Sequence, residues 1–274
     1  MTGSGAKKIR ITVLNKETGE FAWKTLLLLA ICYLSWFLIV AAHLGGFVPL
    51  WLGTLALTAT FYVIFTPMHE AAHLNISGRQ KKLRWVDFAA GSLASFGLFV
   101  PFVGFERLHY HHHQNTNVPG KDPDLWVNGR NFFDIVFRCF TIFPKQMYFF
   151  MTKPIATKQQ KLICAAFIIL KFSIAGYWMF AGYLSEVIFL WLLPAWFALA
   201  LLAYCFDYLP HVPFVETKIF HNTRNVGKPY LNYVFLYQNY HQIHHLNPRV
   251  PFYRYYLSYK RVKPLLDEKA AEVS

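Results

Sequence analysis

The sequence has little charge for its length. Of its 274 residues, 15% are charged, 55% are hydrophobic and 19% are aromatic, whereas soluble domains contain about 25% charged residues. A soluble fold of this length would expose more polar surface than these side chains supply, and the same composition excludes a disordered chain. The composition therefore predicts an integral membrane protein, which we expect to form a single domain over residues 1–274.

Cysteine and acidic residues are also scarce. The four cysteines stand singly in apolar surroundings, so neither a disulfide framework nor a thiolate metal site is expected. The chain has no GxGxxG motif for a flavin or nicotinamide and no cysteine spacing for an iron–sulfur cluster. Lys and Arg number 27 against 14 Asp and Glu, but the placement of these charges indicates membrane topology, and we expect no nucleic-acid partner.

Four long apolar segments occur in two closely spaced pairs. They are Thr25–Ala42 with Phe47–Thr66, and Leu162–Gly182 with Val187–Phe206. A membrane-spanning helix needs about 20 apolar residues, and the short connections predict two helical hairpins. The two connecting loops contain no Lys or Arg, so the positive-inside rule places both termini and the central segment in the cytoplasm. We expect an all-α protein of the cytoplasmic (inner) membrane, with four spans in two hairpins and a cytoplasmic helical cap.

Three features do not fit simple spans. Phe88–Phe105 is uncharged and long enough to cross the membrane, but its small residues also suit a buried or re-entrant segment. Asn131–Met151 mixes charges with aromatic residues and is interpreted as an interfacial helix. Lys171 lies inside the third apolar segment, where a charge is costly, so we expect it to be paired within the helix bundle.

Histidine, by contrast, is abundant and clustered. The chain has twelve histidines, and most lie in the boxes HEAAH, HYHHH and HQIHH. Because residues at i, i+3 and i+4 share one helix face, each box can direct its imidazoles towards one site. All three boxes lie near apolar segments on the predicted cytoplasmic side, where they can meet. The candidate metal ligands are His69, His73, His109, His112, His113, His241, His244 and His245.

The number of imidazoles predicts more than one metal ion. Eight exceed the four ligands of a zinc ion, and imidazole suits iron well. A carboxylate-bridged site in a helical bundle would need Glu-x-x-His pairs, which do not occur here. We therefore predict a histidine-ligated di-iron centre. Four nearby carboxylates either orient the imidazoles or are simply solvated: Glu70, Asp122, Asp124 and Asp207.

The boxes HEAAH, HYHHHQNTN and YHQIHH together resemble those of the membrane fatty acid desaturase superfamily. Within it, the stretches FDYLPH and NYHQIHHLNPRVPFYRY are most similar to carotenoid-ring hydroxylases of the cyanobacterial β-carotene hydroxylase type. This resemblance implies a di-iron centre, O2 as cosubstrate and oxidation of an unactivated C–H bond in a lipid. It also implies His211 as a further ligand and a position beside the site for His111. Glu70 stands where the carotenoid-type proteins commonly have Asp.

The resemblance leaves the reaction open between hydroxylation of a carotenoid-type ring and desaturation of a fatty acyl chain, as acyl-lipid or acyl-CoA. A remote alternative is a membrane zinc metalloprotease, because HEAAH fits the HExxH pattern with Glu70 as general base. A metal transporter is disfavoured, because the histidines lie outside the spans. Aromatic residues are candidates for a hydrophobic substrate tunnel: Phe102, Phe105, Trp126, Trp178 and Tyr237.

Oxygen activation needs electrons, and the chain has no recognisable carrier of its own. We therefore expect a separate redox donor, such as a ferredoxin or a cytochrome with its reductase. An acidic donor would be attracted to the basic cytoplasmic face. The basic residues expected there include Lys81, Lys82, Arg84, Lys260, Arg261 and Lys263.

Overall fold

The computed structural model describes residues 14–226, 228 and 230–271, and these residues form helices and turns without a β-strand. Lys7, Lys8 and Arg10, which contribute to the predicted topology, lie outside the described residues. The helices, numbered in chain order, are α1 Trp23–Leu44, α2 Leu50–Ala72, α3 Arg84–Leu98, α4 Phe102–Asn115, α5 Phe132–Phe140, α6 Ile142–Thr152, α7 Lys158–Phe180, α8 Leu184–Tyr208, α9 Leu231–Val234, α10 His241–Leu246 and α11 Tyr255–Ala271.

Four helices, α1, α2, α7 and α8, are long and apolar enough to cross a membrane. They contain the four predicted apolar segments except for Phe47–Pro49, Ala181 and Gly182. Helix α2 has 23 residues, which corresponds to about 35 Å at a rise of about 1.5 Å per residue. The hydrocarbon core of a bilayer is about 30 Å thick. Since the first histidine box lies at the end of α2, the helix is long enough to carry that box to the edge of an apolar layer of this thickness.

Helix α2 is the centre of the bundle. It packs against α1, α3 and α8, and α7 contacts the start of α8. Its side chains Leu57, Phe61 and Ile64 are fully buried, whereas Phe37 of α1 is 69% exposed, as suits a side chain that faces lipid. His43 Nε2 lies 3.7 Å from Glu186 Oε1, so the two short connections lie together, at the end of the bundle away from the histidine boxes.

The segment Phe88–Phe105 is not a straight spanning helix. Helix α3 ends at Leu98 and is followed by Phe99, which has a left-handed conformation with φ of 61°. This conformation is uncommon for a residue other than glycine. Pro101 then precedes α4, and the axes of the two helical segments differ by 99°. The sharp bend turns α4, with the second histidine box, towards the end of α2.

The prediction of one interfacial helix over Asn131–Met151 is wrong, because the segment forms two helices that meet at Thr141. The Asn131 side chain accepts a hydrogen bond from Asp134 N at 3.0 Å and caps α5. At the other end of α5, the carbonyl of Phe140 accepts a hydrogen bond from Trp196 Nε1 at 2.9 Å. This contact holds the junction of α5 and α6 against the middle of α8.

Lys171 is fully buried in α7, and its partner is the C-terminal end of α3. Its Nζ donates to the carbonyl oxygen of Phe96, lies 3.5 Å from that of Ser95 and is 3.8 Å from the centre of the Phe99 ring. The last carbonyls of a helix lack intrahelical donors and carry partial negative charge. The expected partner within the bundle is therefore the peptide backbone and an aromatic face.

Helix α8 is locally widened at two places, Ile188–Leu192 and Ala203–Tyr208. Such wide turns are frequent at functional sites. In the second one, Leu209 N donates to Tyr204 O across five residues. This turn contains Asp207 and leads directly into the loop that holds His211, so the irregular end of α8 positions both side chains.

Candidate metal centre

The first histidine group combines all three boxes. His69 and His73 lie at the end of α2, His109 lies on α4 and His244 on α10, and one ligand atom from each lies within 4.8 Å of the others. The Nε2 atoms of His69 and His244 are 3.1 Å apart. Residues far apart in the sequence thus direct their imidazole nitrogens to one point.

The second histidine group consists of His112, His211, His241 and His245, again within 4.8 Å of one another and all buried. His241 Nε2 is 3.2 Å from His211 Nε2 and 3.1 Å from His245 Nε2. His245 Nε2 is also 3.3 Å from His112 Nε2. The two HxxHH boxes therefore each contribute to both groups.

His113 lies between the two groups. Its Nε2 is 3.1 Å from His109 Nε2 in the first group, and its ring centre is 4.3 Å from that of His245 in the second. It is also 4.5 Å from the ring centre of His244. The structure thus brings together all nine histidines selected from the sequence, eight in two groups and His113 between them.

The spacing of the nitrogens fits bound metal ions. An imidazole nitrogen binds zinc at about 2.1 Å, so two such ligands would lie about 3.0 Å apart at a right angle and about 3.4 Å apart at the tetrahedral angle. The observed Nε2–Nε2 distances of 3.1–3.3 Å lie between these values. In addition, the buried His73 Nε2 has no hydrogen-bond partner. Two cations would give these converging lone pairs a partner, so the residues present fit a two-metal centre.

Most of these imidazoles are held in the neutral form that binds metal. Burial, with a contribution from His112, lowers the pKa of His211 to about 3. Burial and the neighbouring imidazoles also lower the pKa of His244 and of His245 well below the usual range. A neutral imidazole keeps a free lone pair, which a cation can accept without first displacing a proton.

His112 differs because two carboxylates face its other ring nitrogen. His112 Nδ1 lies 2.9 Å from Asp122 Oδ1 and 3.3 Å from Asp124 Oδ2. Burial alone would lower the pKa of His112, but Asp122 and Asp124 outweigh it and raise the pKa to about 9. Asp122 is fixed in turn by the backbone N–H groups of Asn117 at 2.7 Å and Asp124 at 2.9 Å. Asp122 therefore orients the ring so that Nε2 points into the second group.

Tyr255 holds an imidazole of the first group in a similar way, and sequence reasoning missed it. Its hydroxyl oxygen lies 3.0 Å from His244 Nδ1, and the residue is fully buried at the start of α11. Eleven residues separate Tyr255 from His244. No local spacing rule connects the two, and the only sequence signal was the aromatic stretch that follows the third box.

Glu70, in the first box, does not face the histidines. Its carboxylate accepts hydrogen bonds from Asn75 Nδ2 at 3.3 Å and from Phe252 N at 3.2 Å. Glu70 thus fastens the end of α2 to the segment that follows the third box. This engagement leaves the carboxylate poorly placed to activate a metal-bound water, as the metalloprotease alternative would require.

The remaining candidates are His111 and the carboxylates, and they differ in whether they contact the histidine groups. His111 lies outside both groups, and its ring centre is 5.8 Å from that of Phe149, with the ring planes tilted by 48°. Asp207 lines the cavity next to the histidines. Of the four carboxylates considered, Asp122 and Asp124 contact an imidazole, Asp207 lies nearby, and Glu70 has a structural partner elsewhere.

A small cavity of about 60 Å³ adjoins the centre on the side of the apolar bundle. We call it the inner cavity. Four imidazoles line it, together with Phe105, which was predicted to line a tunnel. Trp178, another tunnel candidate, lines a separate cavity. The remaining wall combines apolar residues with a few polar ones: Phe65, Met68, Val100, Leu108, Ile142, Leu199, Leu202, Ala203, Phe206, Asp124, Gln146, Asp207 and Gln238.

Comparison with known proteins shows to which family the chain belongs. The family model described as fatty acid desaturase matches residues 46–274, which is most of the chain, and the protein belongs to this family. Dihydrorhizobitoxine desaturase of Bradyrhizobium elkanii is 27% identical over 216 residues, 69% of this chain and 60% of the relative. The chain thus spans about three fifths of the length of the curated relative it matches. The matched residues include both histidine groups and His113 between them.

Proposed function

We propose that this protein is a membrane di-iron oxidoreductase that uses O2 to oxidise an unactivated C–H bond of a lipid. The observation that supports this most strongly is the pair of four-imidazole groups beside a largely apolar cavity, in a chain of the fatty acid desaturase family. The direct test is to reconstitute the purified protein with iron, a chemical or protein reductant and O2, and to analyse the lipids for oxidised products.

The residues of the proposed centre have three different roles: they hold the metal ions, orient the ligands or surround the substrate. The first group would hold one iron and the second group would hold the other, with His113 between them: the first consists of His69, His73, His109 and His244. The iron pair, when bound, would supply the activation of O2. Asp122 and Tyr255 keep two of the imidazoles in orientation through Nδ1. The surrounding side chains exclude water and hold the substrate's C–H bond next to the imidazole cluster. In such chemistry the protein itself binds the substrate, orients it and excludes water from the site.

For the reaction itself, we propose hydroxylation of a carotenoid-type ring as the first candidate. It is supported by the resemblance of Phe206–His211 and Asn239–Tyr255 to carotenoid-ring hydroxylases. Desaturation of a fatty acyl chain is the second candidate, and it is favoured by the similarity to a protein named as a desaturase. Expression in one host that makes β-carotene and in another with defined acyl chains, followed by lipid analysis of both, separates the two reactions.

We further propose that the whole chain forms one domain, with two membrane hairpins and a cytoplasmic cap that contains the metal centre. The proximity of His43 to Glu186 supports this arrangement, because it brings both short connections to the end opposite the histidines. Cysteines introduced at exposed positions 81 and 46, one at each end of the bundle, provide the test. In intact cells, a membrane-impermeant thiol reagent should modify position 46 and spare position 81.

A separate redox protein would deliver the electrons, and we propose that an acidic ferredoxin or a cytochrome with its reductase docks on the cytoplasmic face. The exposed Lys81 and Lys82, just before α3, are the best candidates for the contact. Lys263 and Arg261 are less suited, since they pair with Asp267 and Glu17. Complementary charges mainly accelerate the encounter of two proteins, and salt weakens this effect.

A further inference from the structure

A second, larger cavity lies directly beside the inner cavity. We call it the outer cavity; it has a volume of about 290 Å³, and its lining is apolar apart from the thiol of Cys139. The end of α3, the junction of α5 and α6, and the helices α7 and α8 form its walls. Such a cavity, within a bundle of candidate spanning helices, has the size and lining of a site for a hydrocarbon chain or ring.

The two cavities share two lining residues, Ile142 and Leu199. Ile142 begins α6 and is almost fully buried at 4% exposure, and Leu199 lies on α8. These two side chains therefore lie where the wide apolar space adjoins the narrow space next to the imidazoles. A molecule in the outer cavity would therefore reach the histidines by passing between Ile142 and Leu199.

The outer cavity also borders the surface that faces lipid. Phe172 on α7 and Trp196 on α8 belong to its wall, and they are 57% and 55% exposed. Both lie near the middle of candidate spanning helices, where the surrounding medium is the hydrocarbon core of the bilayer. A molecule dissolved in the membrane can thus reach this cavity without crossing the aqueous phase.

Size alone does not single out the outer cavity, because another apolar cavity is larger. That cavity, of about 440 Å³, lies between Trp36, Ile174 and Trp178 and extends to Glu186 at the end of the bundle away from the histidines. It has no lining residue in common with the inner cavity. The two lining residues that it shares with the inner cavity, Ile142 and Leu199, distinguish the outer cavity.

We infer that the outer cavity receives the hydrocarbon part of a lipid laterally from the bilayer, and that Ile142 and Leu199 form a constriction that selects substrates by width. The inference rests on the proposed function, since it assigns the route by which that substrate reaches the site. The inner cavity, with about 60 Å³, holds only the part of the molecule that carries the reacting C–H bond. This route favours a membrane-dissolved lipid over a water-soluble thioester such as acyl-CoA.

The test uses photolabelling and does not depend on turnover. The full-length protein in lipid nanodiscs is irradiated with a phospholipid that carries a diazirine on its acyl chain, and the labelled peptides are mapped by mass spectrometry. In the wild type, we expect label on Phe143 in the outer cavity and on Met68 in the inner cavity. Leu199→Trp fills the constriction, so the label on Met68 should be lost while the label on Phe143 remains.

The matched control is Ile174→Trp, which places the same indole in the larger, unconnected cavity and should leave both labels unchanged. Leu199→Ala shortens the side chain and so cannot clash with its neighbours; it should increase the label on Met68. This variant replaces Leu199→Trp in the test if the Trp variant fails to fold. Unchanged Met68 labelling in both Leu199 variants, or equal loss in the Ile174 control, would overturn the inference. Because labelling is measured without catalysis, a protein that labels as expected but oxidises no lipid would contradict the proposed function alone.

Discussion

The carboxylate of Asp122 provides the sharpest test of how the metal centre is held. Asp122 Oδ1 accepts hydrogen bonds from His112 Nδ1 at 2.9 Å and from Asp124 N at 2.9 Å, and Oδ2 accepts one from Asn117 N at 2.7 Å. In Asp122→Asn, the amide nitrogen must replace one of these oxygens and then faces an N–H group. Every orientation of the new side chain therefore loses at least one hydrogen bond. An orientation that keeps an oxygen on His112 Nδ1 still replaces a carboxylate by a neutral amide, which is a weaker acceptor.

The size of the effect follows from this geometry. Loss of a partner that orients a metal-binding histidine costs about 10–100-fold in metal affinity, or about 1.4–2.8 kcal/mol. A buried N–H left without an acceptor costs about 1–3 kcal/mol of folding stability. We expect Asp122→Asn to lower iron affinity by this factor, measured by competition with a calibrated chelator, and to lower the thermal midpoint of the iron-loaded protein.

Asp267→Asn is the matched control, because it makes the same chemical change in an exposed pair with Lys263. Exposed ion pairs contribute about 0–1 kcal/mol, so this variant should bind iron as the wild type does. If Asp122→Asn and Asp267→Asn had the same iron affinity, the proposed orientation of His112 by Asp122 would be refuted.

Three further predictions concern other parts of the centre and its surface. Tyr255→Phe removes the hydroxyl at His244 Nδ1 and should lower iron affinity roughly tenfold without creating a cavity, measured by the same competition. His244→Ala should abolish lipid oxidation, whereas His111→Ala, outside both groups, should reduce product yield only mildly. Reversal of Lys81 and Lys82 to Glu should slow reduction by an acidic ferredoxin in stopped-flow measurements and weaken its salt dependence, with iron content unchanged.

Each of these predictions has a result that would count against it. Wild-type iron affinity in Tyr255→Phe would mean that the contact at 3.0 Å does not hold the imidazole. Equal losses in the His244 and His111 variants would mean that the second box has been read in the wrong register. An unchanged reduction rate in the lysine variant would place the donor on another surface.

The four candidate spanning helices and the ligand candidates of the three histidine boxes were predictable from the sequence because their signals are local. Long uncharged runs indicate the spanning helices, and HxxxH and HxxHH spacings indicate which imidazoles share a helix face. The distribution of imidazoles was not predictable, because it depends on how the helices meet. His109 joins the first group and His112 the second, although both belong to one box.

The features that sequence reasoning missed depend on backbone breaks and long-range contacts. The left-handed Phe99 divides a segment for which the sequence left a spanning and a re-entrant form open. The break at Thr141 divides a segment that was expected to be one helix. Tyr255 reaches His244 only because α11 packs against α10. Ile142 of α6 and Leu199 of α8 line both the inner and the outer cavity, and hydropathy contains no signal for this arrangement.

The measurement that tests the central claim most directly is the metal content of the purified protein, determined by elemental analysis per chain after expression with iron and zinc both available. The two imidazole groups predict two iron atoms per chain. His73→Ala and His211→Ala each remove one ligand, from the first and the second group respectively, and both variants should lose iron. One zinc atom per chain, or full iron content in both variants, would contradict a di-iron centre at this site.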